Sequence, residues 1–507
     1  MTSALRSGKG AWPRLAAHLV ASMVLLLSGC AVLPPQQRDA AELIRHAEAA
    51  LGSSTMSTLV FRGQGLSAAI GQSASPEDPW PVRSMRSFSR AMHFDERAYR
   101  EDFIRGPAEP FDEVDTGAPA LAGPQPGETR GVVLARQAFS WDVVGVAVAP
   151  SQTSWQSRMH DLWLSTPQGA LKAAGRHGAR AGRLFEGLRW LDTLSFEVPG
   201  QFSATLFLEA DGRVTRIESV LPEPLLGDVA VRTDFSDYRQ RGVLNFPHRI
   251  VQRYDDVLVL DVWVRSVALD EPLAVTVPES VRTSGNAPAV EFLSTGVWLL
   301  AGGTHHSVLI EQADRLVLVE APLDEARGRA LLASARRLVD NKPLSTTVAT
   351  HHHLDQIGGV RVLAGQGATV LISRQAQPWL QAVLQRPLLR RTDPLSDLKR
   401  EPRIQGVSVR ELLDDPQRPV EVHAVRNSPH ANGMLMVWLP RERLLIHAEA
   451  EPTAADTLEE AARSATLNLL DNLARLGIAP LRIVSLQSGA RRASELYRSV
   501  GRQAPPR

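Results

Sequence analysis

The sequence predicts an α+β protein in two parts. Residues 38–282 read as a β-rich antiparallel domain, and residues 283–507 as a region where strands and helices alternate. Three observations carry this. Period-two apolar alternation recurs through the first part, as in Phe202, Ala204, Leu206 and Leu208 before an Asp211-Gly212 turn and a returning Val214–Ile217 run. The linker-like Thr-Ser-Gly-Asn-Ala-Pro at 283–288 marks a change to short strands followed by helical spacing. Past it, the apolar β-branched run Leu344–Ala349 ends on Thr350-His351-His352-His353-Leu354-Asp355-Gln356-Ile357-Gly358-Gly359. His-x-His-x-Asp at a strand end brings imidazoles and a carboxylate within reach of one metal ion, and neutral imidazole suits zinc.

The elements follow in order. Arg6, Lys9 and Arg14 precede an apolar run, Leu15–Leu27, that is too short to span a bilayer. Leu27-Ser28-Gly29-Cys30 closes it and resembles the lipobox of a bacterial lipoprotein signal. The resemblance implies a signal peptide over 1–29, lipidation of Cys30, and a lipidated tether over 30–37. Ala31 after the cysteine implies outer-membrane sorting, with the protein facing the periplasm. Cys30 is the single cysteine, so no intramolecular disulfide is available.

Arg38–Leu51 has amphipathic helical spacing and stops near Gly52. Arg249–Leu269 repeats the strand pattern, with Leu258, Leu260, Val262 and Val264 on one side. The run Ser236–Ile250 resembles the late strands of the periplasmic lipoprotein-carrier type of fold, a curved sheet cupping a helix. A plain β-rich accessory domain remains an equal alternative. Beyond the linker, Val297–Leu300, Val308–Glu311 and Leu316–Val319 read as strands. Ala326–Val339 reads as a helix, and Thr369–Ile372 as a further strand. Lys+Arg 56 against Asp+Glu 55 leaves no basic surface that would imply a nucleic-acid partner.

Several ordered motifs in 290–500 are similar to those of the metallo-β-lactamase-fold superfamily. They are Gly303-Thr304-His305-His306-Ser307, Val319-Glu320-Ala321-Pro322, the His motif, and Asn427-Ser428-Pro429-His430-Ala431-Asn432-Gly433 with the apolar run to Pro440. The resemblance implies an αβ/βα four-layer sandwich for the second part. It implies a zinc site held by His351, His353 and His430. At the family's second site this chain departs: Asp355-Gln356 stands for an Asp-His pair, Glu449 for the bridging aspartate, and Ser485-Leu486-Gln487-Ser488-Gly489 where a last histidine is expected. Amide oxygen is a poor zinc ligand, so about one tightly bound ion is expected.

Asp355 is then either a further metal ligand or the general base. Glu449 either completes the first site or supports one of its histidines. Glu320 is expected to support a ligand, and His352 to be structural. For His305 and His306, capping or packing is preferred to substrate contact. The reading that follows is a lipid-anchored envelope hydrolase acting through metal-activated water on an unspecified ester, lactone, amide, or phosphate- or sulfate-ester. The alternatives are a non-catalytic binding or scaffold lipoprotein, and an apolar-ligand carrier acting through the first domain.

Overall fold

The computed structural model describes residues 38–503 apart from 54, 108–123, 126–127, 145–146, 151–153, 284–286, 387, 389–392, 398–400 and 449–455. Cys30, its tether and Glu449 therefore lie outside the described residues.

The first helix, Ala40–Leu51, starts where the Asp39 side chain accepts from the Glu42 amide and stops at Gly52, φ 66°. A side chain at Gly52 would run into the Val243 carbonyl. The helix buries Leu43, Ala47 and Leu51, and packs on a long antiparallel sheet.

Among the described residues that sheet has thirteen strands. Its first strand, Thr58–Ala68, pairs with Val82–His93 on one side and with the last strand, Val257–Leu269, on the other. Two meanders therefore run outward from the middle. The predicted alternation in Phe202–Leu208 faces the core, and Gly212 turns the chain at φ 88°. A register shift between Val214 and Arg216 then puts Val214 and Ile217 inside while Arg216 stays out. The helix Trp155–Leu164 touches both Thr129–Arg136 and Val214–Glu223, which are far apart in strand order, so the sheet curls around it.

The second part is built on two sheets. One runs antiparallel from Ala289–Ser294 through Val297–Ala301 and Ser307–Glu311 to Leu316–Val319. It continues parallel through Leu344–Val348, Thr369–Ser373 and Ile404–Val407. The other comprises Arg410–Leu413, Val420–Ala424, Leu435–Leu439, Leu444–His447, Arg482–Ser485 and Gly489–Arg492. Alternation in Leu316–Val319 shows the layering. Val317 and Val319 enter the core between the sheets, while Leu316 and Leu318 meet the helix residues Leu331, Val360, Leu363 and Leu380. The α+β class and the layered second domain thus agree with the sequence. Leu225, Leu226, Val229 and Tyr254 of the first domain join that outer cluster, so the domains share buried apolar surface. Arg386 meets Asp255 at 2.9 Å across the boundary.

Candidate metal centre

The strand Leu344–Val348 delivers Thr350 and the histidines at its end, between the two sheets. Thr350 is held on both sides. Its amide donates to a Glu320 carboxylate oxygen at 3.3 Å, its hydroxyl donates to the other, and its carbonyl accepts from the Leu435 amide at 2.7 Å. Glu320 adopts φ 70°, a left-handed conformation uncommon for a side chain of this size. Glu320 thus bonds to Thr350, the chain neighbour of His351, and is not among the converging residues.

His351 is fully buried. Its Nδ1 lies 3.0 Å from the Thr350 hydroxyl oxygen, which already donates to Glu320 and so accepts the Nδ1 proton. The lone pair is left on Nε2, and that atom is buried with no hydrogen-bond partner. Burial first, and then the surrounding imidazoles, hold His351 well below the ordinary imidazole value, so it is neutral. His353 donates from Nε2 to the Ser73 carbonyl at 2.9 Å, which leaves the Nδ1 lone pair facing His430 Nε2 at 3.0 Å.

His430 comes from the loop before Leu435–Leu439. Asn468 donates to the Arg426 and Asn427 carbonyls at 2.8 Å each, and Asn472 accepts from the Arg426 amide at 2.9 Å. Asn427 and Gly433 turn that loop at φ 54° and 74°.

One nitrogen from each of His351, His353 and His430 lies within 4.8 Å of the other two. The residues fit a borderline-soft divalent cation: three converging imidazoles, His351 held neutral by burial, one buried nitrogen without a partner, and an open side where His430 is half-buried. Asp355 is not in the converging group. Gln72 Nε2 donates to one carboxylate oxygen at 2.8 Å, and His305 Nε2 lies 3.2 Å from the other. The His305 Nδ1 contact with the Thr304 hydroxyl, at 2.8 Å, fits a tautomer with its proton on Nε2. Burial raises the Asp355 carboxyl, but the bonds from His305 and Gln72 outweigh it, and the group sits below its usual range.

The neighbours divide clearly. His352 faces away, with Nε2 on the same Ser73 carbonyl at 2.9 Å and its ring edge-on to Trp379. Burial lowers it to about 4. His306 accepts from the Gly302 amide at 3.2 Å, a turn-closing role, whereas His305 reaches Asp355. Gln356 is fully buried with both amide atoms unpartnered. His447 is buried with an unpartnered Nδ1, and burial followed by nearby His430 takes it to about 3. Gln487 and Ser488 lie on a turn whose amides point at the Ser485 hydroxyl.

Sequence reasoning missed Gln72 and Ser73. They sit on the Ala69–Pro81 loop of the first domain, and no spacing rule connects them to a motif so far along the chain.

No curated protein matches the chain. Solved structures similar to it include the metallo-beta-lactamase from Pontibacter korlensis, at 16% identity over 42% of this chain and 97% of that one, TM-score 0.33. The rubredoxin oxygen:oxidoreductase from Desulfovibrio gigas is 19% identical over 42% of this chain and 60% of its own, TM-score 0.33. The DIM-1 metallo-beta-lactamase is 14% identical over 42% and 95%, TM-score 0.33. Residues 300–482, which carry the converging histidines between the two sheets, match the model of the metallo-beta-lactamase superfamily.

Proposed function

We propose that this protein is a zinc-dependent hydrolase of small molecules, held in the bacterial envelope by lipid on Cys30. The observation that supports it most is the convergence of His351, His353 and His430 around a buried Nε2 that nothing else satisfies. His351 Nε2, His353 Nδ1 and His430 Nε2 would hold the ion. Bound there, zinc supplies Lewis acidity and brings the pKa of a coordinated water towards neutrality.

The chain's own residues do the rest. The Glu320–Thr350 pair and the Ser73 carbonyl fix two imidazoles in the tautomers that offer lone pairs inward. Asp355, ionised and aimed by His305 and Gln72, takes the proton from the attacking water. The bond cleaved is an ester, lactone, amide, or phosphate- or sulfate-ester.

Elemental analysis of the purified full chain after dialysis tests this. About one zinc per chain is expected. Two tightly held ions would refute a mononuclear centre, and none would leave a binding or scaffold protein that kept the fold. The anchor is tested by fractionation. The wild type should sediment with membranes and Cys30→Ala should not, since two or more acyl chains are needed for stable anchoring. Wild-type protein found mainly in a soluble fraction would end the lipoprotein reading.

A further inference from the structure

We propose that the Ala69–Pro81 loop of the N-terminal domain is a working part of the metal centre, with Gln72 a positioning residue that takes, against Asp355, the place of a second cation. This rests on the hydrolase reading above and says why that centre holds one ion.

The loop joins the first two strands of the N-terminal sheet and crosses to the other domain. It is seated on both segments that carry the histidines. On one side Gly71 lies against Leu354, so close that a Cβ there would sit 2.4 Å from the Leu354 Cγ. On the other, the Asn432 amide donates to the Ala74 carbonyl at 2.7 Å, and its side chain donates to the Ser75 hydroxyl at 2.8 Å. Between these two anchors the loop presents two polar groups to the site.

The first is the Ser73 carbonyl. It accepts from His353 Nε2 and His352 Nε2, both at 2.9 Å, so both of its lone pairs are used. A proton held on His353 Nε2 leaves Nδ1 as the atom that faces His430. The second is the Gln72 amide. A largely buried carboxylate needs either a cation or hydrogen-bond donors. Asp355 has donors on both oxygens, Gln72 at 2.8 Å and His305 at 3.2 Å. Gln356, its chain neighbour, contributes none, because both atoms of its amide are without a partner. Asp355 is thereby an oriented proton acceptor rather than half of a second metal site, and the group that makes it so comes from the other domain.

Replacing the amide by an acid inverts the logic. Gln72→Glu would set two carboxylates at the 2.8 Å separation now spanned by a hydrogen bond, a pair whose repulsion a bound divalent cation relieves.

The test uses the full chain loaded with cobalt(II), as wild type, Gln72→Glu and Gln72→Ala, with circular dichroism as the control for folding. The wild type should hold one cobalt per chain by equilibrium dialysis, and Gln72→Glu should rise towards two. Gln72→Ala should stay at one, with an altered cobalt visible spectrum. A Gln72→Ala spectrum superimposable on the wild type, or a folded Gln72→Glu that stays at one ion, would make the loop mere packing and overturn the proposal while leaving the hydrolase reading intact. A wild type that binds no cobalt would overturn both. If Gln72→Glu fails to fold, the Gln72→Ala spectrum decides, because that change adds no charge.

Discussion

Arg90 and Glu101 in the N-terminal sheet and His351 and His447 in the C-terminal domain are all buried, but the two regions keep their ionisable groups in opposite states. Arg90 contacts Glu101 at 2.5 Å, and the Tyr99 hydroxyl donates to the same carboxylate at 2.6 Å. Burial raises Glu101, but Arg90, Arg158 and Arg105 outweigh it and hold the acid at about 2, so the pair stays charged. The histidine cluster has no acid among its converging atoms, and burial holds His351 and His447 neutral. Glu101 meets its counter-charges in place, although Arg90 Nη1 is buried without a hydrogen-bond partner. Three imidazoles whose nitrogens converge, one of them without a partner, could take a cation between them, which sets the scaffold apart from the candidate site.

Four experiments would break or sharpen that contrast. The largest effect is expected from His351→Ala, His353→Ala or His430→Ala, each of which should abolish stoichiometric metal binding by elemental analysis while leaving the metal-free fold unchanged. A variant that keeps its metal would remove that histidine from the ligand set. Asp355→Asn comes next: it should retain the metal and lower hydrolysis about 10²–10⁴-fold, as loss of a general base does. If it strips the metal, Asp355 is a ligand.

Glu101→Ala should do the reverse, costing about 3–5 kcal/mol by urea denaturation because it leaves Arg90 buried without its counter-charge, with metal stoichiometry unaltered. A change near zero would mean that the pair is replaceable by water.

The smallest effect is a pH slope. His447 is near 3 when folded and about 6.5 when unfolded, so below 6.5 the unfolded chain takes a proton that the folded one refuses. Stability of the metal-free chain should therefore fall as pH drops from about 6.5 towards 3. Glu101, near 2 when folded against an ordinary 4.5, adds its own loss only below 4.5. Melting curves should show a shallower slope between 6.5 and 4.5 in His447→Asn, and an unaltered slope there would exclude His447 as its source.

The converging histidines were legible because a strand end fixes two of them by spacing, and the third sits in a loop with its own motif. The alternation of Phe202–Leu208 was legible for the same reason: period two is a local property. Gln72, Ser73 and the His305–Asp355 contact were not. Gln72 and Ser73 depend on how one domain docks on the other, and the His305–Asp355 contact on how two segments of the C-terminal domain meet; no local rule reports either. The shift after Val214 escaped for a related reason, since it is a property of how two strands pair and not of one strand's own pattern.

The pairing of Leu59 with Leu269 has a kinetic consequence. The first strand of the N-terminal sheet pairs on one side with the last strand of that sheet, Val257–Leu269, a contact of very high sequence separation. The ordering entropy of the whole intervening chain must be met before that contact forms. Refolding should therefore show a slow phase in the N-terminal domain. Because Ser73 and Gln72 ride on that same strand's exit loop, metal uptake should lag behind formation of the C-terminal sheets and keep time with closure of the distant one.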